Sequence, residues 1–254
     1  MLFNNVKEEF PTLINNPDLV YLDSAASTQT HKRVLDKMNE YYEKKRCNVN
    51  RGDFRISQEV SAEIEEARES VAKLIKSEPE NIMFTAGATE GLNIIAEWYK
   101  DVPTVIITEA EHSANILPWL AQGRTVENGR LVVLPVTNSG LIDTPKACQM
   151  FEKYPYCLLS IHSHSNVTGI GLDIKKLTKA AHDQGIRVVI DGCQTIGTHD
   201  FDPYTIDHAV FSGHKMYGPT GIGFMYNRLP LERMRAVRLG GGAVTPVSYT
   251  HLTL

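Results

Sequence analysis

Short apolar segments alternate with amphipathic segments along most of this chain, and this alternation constrains the fold more than any other feature of the sequence. Seven apolar runs, most of them rich in valine and isoleucine, lie between residues 81 and 226: NIMFT, TVIIT, LVVLPV, YCLLSIH, RVVID, HAVFS and GIGFMY. Strands with so few polar positions are typical of sheets that are buried on both faces. The sequence therefore predicts an α/β fold whose sheet carries helices on both sides.

Helical patterns occupy the segments between these runs. Residues 61–75 repeat apolar side chains at helical spacing, and we expect Ser57 or Ser61 to cap the start of this helix. The segment ATEGLNIIAEWY is predicted to enter a helix directly from the first strand. A further helix over residues 173–185 is predicted to end at Gly185, since glycine commonly terminates helices.

The domain organisation follows from where the alternation begins and ends. Residues 1–60 lack it and are interpreted as an N-terminal arm with one helix, which packs against the rest of the chain or against another subunit. Residues 61–246 are predicted to form the α/β domain. Residues 247–254 read VSYTHLTL and match no further element, so we interpret them as a non-native tail on a chain truncated at its C-terminus.

Composition excludes several functional classes. The net charge is −4 and 22% of the residues are charged, which gives no basic surface for nucleic acid. The apolar runs are too short to span a membrane, and the N-terminus lacks the apolar core of a secretory signal. The cysteines show neither a CxxC pair nor metal-ligand spacing, so we expect no metal site and a reducing cytoplasm. These cysteines are Cys47, Cys148, Cys157 and Cys193.

In open α/β sheets, ligands bind beyond the carboxyl ends of the strands, and several polar residues of this chain lie there. Small residues from Ala86 to Thr89 join the first strand to a helix, whose free N–H groups and dipole favour a phosphate. Ser212 and His214, near the end of another strand, offer a hydroxyl and an N–H to a phosphate. An ordinary turn capped by Thr89, beside a packed histidine, is the alternative.

Three further residues at strand ends are suited to bind a ring and an aldehyde. Asp191 ends the run RVVID, where its carboxylate can pair with a ring N–H, and Gln194 lies within reach of the same ligand. Lys215 follows HAVFS, and an amine that loses part of its solvation becomes a nucleophile toward an aldehyde. A turn-capping carboxylate, a turn glutamine and a surface lysine are the alternatives.

Two residues complete the set. His112 follows TVIIT, where its imidazole can stack on a flat ring or move protons, and Asn166 lies beyond YCLLSIH. A capping histidine and a turn asparagine are the alternatives. Together, a phosphate cup, a carboxylate for a ring nitrogen, a stacking imidazole and a lysine for an aldehyde describe one ligand, pyridoxal 5'-phosphate (PLP). Lys215 would hold this cofactor as a Schiff base.

The sequence also resembles the class-V, fold-type I PLP-dependent aminotransferase family, and most closely the SufS-type cysteine desulfurases. The resemblance runs in family order from Tyr21 to Gly223 through YLDSAAST, NVNRG, FTAGATEGLNIIA, EHSANILPW, SNVTG, VVIDGCQ and SGHKMYGPTGIG. It implies the large domain of this fold, with a mostly parallel seven-stranded sheet flanked by helices. It also implies that the small C-terminal domain of the family is missing.

The resemblance assigns a role to each candidate residue. Lys215 would bind PLP covalently and later move protons, Asp191 would keep the pyridine nitrogen protonated, and His112 would stack on the ring and assist protonation. Gln194 and Asn166 would lie near the phenolic oxygen and the substrate. The phosphate would be held by Ala88, Thr89, Ser212 and His214.

The implied reaction converts L-cysteine to L-alanine and leaves the sulfur as a persulfide on an enzyme thiolate. The implied partners are a second copy of the chain, in a homodimer, and a protein that accepts the sulfur for iron–sulfur cluster assembly. In the family, the thiolate cysteine and the arginine that binds the substrate carboxylate lie beyond residue 254. Cys193 is interpreted as a small filler, because family members commonly have alanine there. Asn50 and Phe54 stand where SufS-type chains commonly carry histidines.

Alternative functions remain open at the level of the sequence. One is another class-V PLP enzyme, such as a selenocysteine lyase or an aminotransferase acting on a different amino acid. Another is a PLP-binding fragment that is catalytically incomplete. A nucleotide-binding Rossmann protein is disfavoured, because TAGATEG lacks the GxGxxG spacing and GPTGIG leads into a strand.

Overall fold

The computed structural model describes residues 6–49, 52–137, 140–203, 205–229 and 235–237. Within these ranges the chain forms an α/β fold around one sheet. The strands are β1 (Ile82–Thr85), β2 (Val105–Thr108), β3 (Leu131–Leu134), β4 (Leu158–His162), β5 (Arg187–Asp191), β6 (His208–Ser212) and β7 (Gly223–Asn227). Each of the seven apolar runs thus forms a strand.

The seven strands are arranged in the order β1-β7-β6-β5-β4-β2-β3. Only β7 runs antiparallel to its neighbours β1 and β6, while the pairs β6–β5, β5–β4, β4–β2 and β2–β3 are parallel. The prediction of a mostly parallel seven-stranded sheet is therefore confirmed. Because the six parallel strands end at the same edge, the loops after them converge there.

The α-helices lie between and before the strands. They are α1 (Pro11–Asn15), α2 (Lys32–Glu40), α3 (Arg55–Leu74), α4 (Ala88–Trp98), α5 (Leu117–Ala121), α6 (Thr144–Lys153) and α7 (Ile174–His182). Gly185 follows α7 with a φ of 70°, as expected for a glycine that terminates a helix. None of the described helices is long and apolar enough to cross a membrane.

Two hydrophobic cores cover the two faces of the sheet. Successive strand residues point to opposite faces, so Val188 belongs to one core and Val189 to the other. Phe151 of α6 and Leu177 of α7 pack in the first core, and Leu92 of α4 packs in the second. This arrangement confirms the expectation that helices cover both sides of the sheet.

The start of α3 differs from the prediction. The helix begins at Arg55, six residues before the predicted start, and its N-cap Phe54 makes no side-chain capping hydrogen bond. Ser57 is buried inside the helix, and its hydroxyl donates to the carbonyl of Asn48 at 2.8 Å. The hydroxyl of Ser61 donates to the carbonyl of Ser57, so neither serine caps the helix and that prediction is wrong.

The N-terminal arm packs against the loop that follows β6. The N–H of Thr28 donates to the carbonyl of His214 at 2.8 Å, and the N–H of His31 donates to the carbonyl of Tyr217 at 3.1 Å. The boundaries predicted at residues 60 and 246 stay predictions. The predicted tail, 247–254, lies outside the described residues.

Candidate functional site

A cleft of about 420 Å³ opens at the edge of the sheet where the parallel strands end. Its volume falls in the range of about 300–1,000 Å³ that is usual for small-molecule sites. Sixteen residues line it, and they come from the N-terminal arm, from the start of α4, from the last residues of β4, β5 and β6, and from the loops after β2, β4, β5 and β6. This position is the one expected for ligands in an open α/β sheet.

All nine predicted site residues line this cleft, although they are spread over 128 positions of the sequence. They are Ala88, Thr89, His112, Asn166, Asp191, Gln194, Ser212, His214 and Lys215. The structure thus brings together every side chain proposed for one ligand. Their individual roles stay predictions.

The N-terminus of α4 lines the cleft through Ala88 and Thr89. Gly87 caps this helix with a φ of 150°, a conformation that favours glycine, and the N–H of Ala88 donates to the hydroxyl of Ser212 at 3.0 Å. Gly223 also supports this turn, because a Cβ there would come within 2.7 Å of the Cα of Gly87. Thr89 is exposed in the first turn, where N–H groups have no partner within the helix.

The side chain of His214 also lines the cleft. Its Nδ1 is 3.3 Å from the hydroxyl of Ser27 in the N-terminal arm. Partial burial, and secondarily the charge of Lys215, lower the pKa of His214. Together with the N-terminus of α4, these groups form a surface of hydrogen-bond donors that suits a phosphate.

Asp191, at the end of β5, places an acidic side chain in the cleft, in contrast to the hydrogen-bond donors of α4 and His214. Its carboxyl group is almost fully buried, and its Oδ1 accepts a hydrogen bond from the N–H of Cys193 at 3.0 Å. No described basic side chain forms an ion pair with it. Burial raises the pKa of Asp191, and the nearby charge of Glu111 adds to this effect. A cation in the cleft would therefore be bound strongly by this carboxylate.

Lys215 and Gln194 meet at one backbone oxygen. The amine of Lys215 and the Nε2 of Gln194 both donate to the carbonyl of Ala25, which belongs to the N-terminal arm. Lys215 is half-buried, in a short 3₁₀ turn after β6. Lys215 is also among the residues that line the cleft.

His112 both caps a turn and lines the cleft. Its Nδ1 accepts the N–H of Ala114 at 3.1 Å, at the start of a 3₁₀ turn, so a neutral ring carries its proton on Nε2. The exposed imidazole face is available for stacking. The two interpretations of His112 from the sequence are therefore compatible with each other. Asn166 is exposed at the rim of the same cleft.

Several residues at the cleft were missed by the sequence reasoning. Asp23, Ala25 and Ala26 reach the cleft from the N-terminal arm. His162 and His164 reach it from β4 and the loop that follows. The segment YLDSAAST was a signal for the first group, since it belongs to the segments that carry the family resemblance. No local pattern marked His162, because it lies within an apolar run.

The four cysteines differ in environment, and all are free thiols. Cys193 is the one cysteine among the residues that line the cleft, and its sulfur is 3.7 Å from the hydroxyl of Ser212. Burial raises the pKa of Cys193 well above its usual value, and burial raises the pKa of Cys157 to about 12. Both thiols are therefore protonated at neutral pH and are poor nucleophiles.

Replacing Cys193 with alanine is accordingly expected to leave PLP binding within about threefold of the unchanged protein, since a packing methyl group is kept and no reactive thiolate is lost. Equilibrium dialysis with PLP measures this. Cys148→Ala, a substitution away from the cleft, is the matched control. A loss of binding confined to the Cys193 variant would contradict the interpretation of Cys193 as a filler.

The comparison with protein families gives a match over almost the whole chain. The family described as Aminotransferase class-V matches residues 20–254. The chain belongs to the class-V aminotransferase family. Class-V aminotransferases are PLP-dependent, which confirms the cofactor predicted from the sequence.

Individual class-V relatives agree with this assignment. A probable cysteine desulfurase of Vibrio cholerae is 38% identical over 261 residues, covering 98% of this chain and 64% of that protein. Among solved structures, the apo cysteine desulfurase of Thermococcus onnurineus is 31% identical with a TM-score of 0.84, covering 96% of this chain and 61% of that one. The cysteine desulfurase CsdA of Escherichia coli is 34% identical with a TM-score of 0.82, covering 96% of this chain and 62% of that one. The chain thus spans less than two thirds of the length of these relatives.

The cleft of this class-V chain fits PLP on its own geometry. The buried carboxylate of Asp191 lacks a cationic partner among the described residues, and a protonated pyridine nitrogen is such a partner. The N-terminus of α4 suits the phosphate, and the amine of Lys215 suits the aldehyde. Phe54, one of the two positions that depart from the SufS-type pattern, does not line the cleft, and Asn50 lies outside the described residues.

Proposed function

We propose that this chain is the PLP-binding large domain of a cysteine desulfurase, which converts L-cysteine to L-alanine and transfers the sulfur as a persulfide. The observation that carries the proposal is the cleft itself. It gathers a helix N-terminus, a buried carboxylate and a half-buried amine at one edge of the sheet. The relatives named cysteine desulfurase support the choice of reaction and of L-cysteine as the substrate.

The phosphate of PLP would be bound at the N-terminal turn of α4. Backbone N–H groups near Ala88 and the hydroxyl of Thr89 would donate to it, together with Ser212 and His214, which line the same cleft. His214 would bind the phosphate as a hydrogen-bond donor through its imidazole ring. The charge of the phosphate would be balanced by the helix dipole and Lys215.

The ring would lie between Asp191 and His112. Asp191 would hold a proton on the ring nitrogen, and the imidazole of His112 would stack on the ring and move protons. Gln194 and Asn166 would contact the phenolic oxygen and the substrate. When bound, PLP supplies an aldehyde that condenses with amines and a protonated ring that withdraws electrons from the substrate Cα. The amine of Lys215 would bind that aldehyde and later carry protons within the cleft.

The proposed persulfide requires a thiolate, and the cysteines of this chain do not supply one at the cleft. Cys193 lines the cleft but holds its proton, while Cys47, Cys148 and Cys157 do not line it. We infer that the persulfide forms on another thiolate. We further propose that the protein is a cytoplasmic homodimer and that the sulfur goes to an acceptor protein for iron–sulfur cluster assembly.

The lack of a reactive thiolate among the residues that line the cleft also favours one alternative, a PLP-binding chain that is catalytically incomplete. Incubation of the chain with PLP, L-cysteine and dithiothreitol distinguishes the two, because the thiolate of dithiothreitol accepts the sulfur that no cysteine of the chain takes at the cleft. Alanine is the measured product, and L-serine, which carries no sulfur, is the control substrate. We expect PLP to bind and alanine to appear from L-cysteine alone. Bound PLP without alanine would establish the incomplete alternative, and failure of the chain to bind PLP would overturn both.

A further inference from the structure

A buried histidine with one unused nitrogen lies at the cleft outside the nine predicted residues. His162 ends β4, is only 4% exposed and lines the cleft. Its Nδ1 is 2.8 Å from the Oε1 of Glu111, but its Nε2 has no hydrogen-bond partner among the described residues. Buried polar atoms in native proteins are nearly always hydrogen-bonded, so an unpartnered one beside a ligand cleft points to a partner that comes with the ligand.

Glu111 fixes the orientation of this imidazole. Its carboxyl group is buried and accepts hydrogen bonds from the hydroxyl of Thr108 at 2.6 Å and from the Nδ2 of Asn115 at 2.7 Å. An ionised carboxylate only accepts hydrogen bonds, so the Nδ1 of His162 donates to it. Because Nδ1 is committed to Glu111, Nε2 is the nitrogen available to groups in the cleft.

The immediate neighbour of His162 across the sheet is Asp191. The two residues are register partners in the parallel pair of β4 and β5, and side chains at paired positions point to the same face of a sheet. Both are buried and both line the cleft. The unused nitrogen therefore belongs to the residue beside the carboxyl group that is proposed to hold the ring nitrogen of PLP.

We propose that His162, held by Glu111, is a positioning residue for the ring-nitrogen end of PLP, with its Nε2 donating to the carboxylate of Asp191 directly or through one water when the ring is bound. This inference rests on the proposed binding of PLP in the cleft. A histidine that donates from both ring nitrogens is an imidazolium, and that of His162 would lie between the carboxylates of Glu111 and Asp191. The protonated ring nitrogen of PLP would supply the second positive charge, so two positive charges would balance the two buried negative charges. Asp191 gains a second donor besides the N–H of Cys193, which fixes the direction of its free oxygen.

Two substitutions of His162 separate this role from a purely structural one. Asparagine places its amide near the position of Nδ1 and keeps the hydrogen bond to Glu111, while glutamine reaches the position of Nε2. His162→Asn is expected to weaken PLP binding about tenfold, as for one charged hydrogen bond, and to shift the absorption spectrum of the bound cofactor. His162→Gln is expected to retain the spectrum and to bind PLP within about threefold of the unchanged protein.

His208→Asn is the matched control for burial. His208 is equally buried at the start of β6, but its nitrogens contact the hydroxyl of Tyr99 and the Oδ1 of Asn227, and it does not line the cleft. This variant is expected to lose stability while its PLP spectrum stays unchanged. Wild-type binding and spectrum in His162→Asn, or equal losses in all three variants, would overturn the role of His162 while leaving the proposed function intact.

A measurement on the unchanged protein tests the inference without a substitution at His162. With ¹⁵N-labelled histidine, the imidazole that donates to Glu111 should show a change at its second nitrogen when PLP is added. His112, His164 and His214 also line the cleft, and each is assigned by its own substitution. A response limited to those three would overturn the inference, and a protein that binds no PLP at all would instead overturn the proposed function.

Discussion

Replacing Lys215 with alanine is expected to abolish covalent attachment of PLP and to lower the rate of alanine formation by about 10²–10⁴-fold, the range that a positioned proton-transfer group supplies. Among the residues that line the cleft, Lys215 is the one lysine. Its half-burial and its contact with the carbonyl of Ala25 hold its amine near the predicted aldehyde site. This amine would hold PLP by condensing with its aldehyde, with the loss of one water molecule. Borohydride reduction followed by mass spectrometry locates the cofactor on the chain.

Two variants make this result specific. Lys215→Arg keeps a positive charge at the same position, but a guanidinium does not condense with the aldehyde, so covalent attachment should be lost here as well. Lys179→Ala removes an exposed lysine that pairs with Asp183, far from the cleft, and should retain the attached cofactor. Cofactor mass recovered on any residue of the Lys215→Ala variant after reduction would refute the assignment.

Replacing Asp191 with asparagine is expected to leave PLP bound but to lower turnover by about 10²–10³-fold, as for the loss of one preorganised electrostatic group. The amide has the shape of the carboxyl group but cannot hold a proton on the ring nitrogen, so the ring withdraws electrons from the substrate less strongly. The rate of alanine formation and the spectrum of the bound cofactor measure the effect. Turnover close to that of the unchanged protein would show that Asp191 does not have this role.

The cofactor-free protein provides the control for folding in this variant. Burial raises the pKa of Asp191 above its unfolded value, so this group favours the folded state while it is protonated and loses that contribution as the pH rises through the raised pKa. Without PLP, Asp191→Asn should therefore melt at a higher temperature than the unchanged protein at about pH 8, and the difference should shrink near pH 4, close to the unfolded pKa. A lower melting temperature at both pH values would mean that the variant is damaged in its fold.

The fold was largely predictable because the sheet is encoded locally. Each strand is a largely apolar run of four or five residues, the central strands are mostly buried on both faces, and such runs stand out from their polar surroundings. The start of α3 was predicted wrongly because residue type alone does not decide a cap. Ser57 suits a cap in isolation, but its hydroxyl is used by the carbonyl of Asn48, and this contact forms only in the folded chain.

The candidate site was predictable where its residues sit at strand ends. Asp191 and Ser212 end their strands, and Lys215 follows closely, so a rule about the edge of a parallel sheet was sufficient to group them. The pair of Glu111 and His162 was not predictable in this way. The two residues are 51 positions apart, and they meet because β2 and β4 are neighbours in the sheet although β3 separates them in sequence.

The carbonyl of Ala25 gives the N-terminal arm a part in the chemistry of the cleft. This one oxygen accepts hydrogen bonds from Lys215 and Gln194 at the same time. An amine that condenses with an aldehyde gives up hydrogens and turns toward its new partner, so it must release this oxygen. Gln194 would then remain as the donor to this oxygen, beside the hydrogen bond that joins Thr28 to His214, so the hold on the arm at Ala25 would loosen as the vitamin cofactor is loaded.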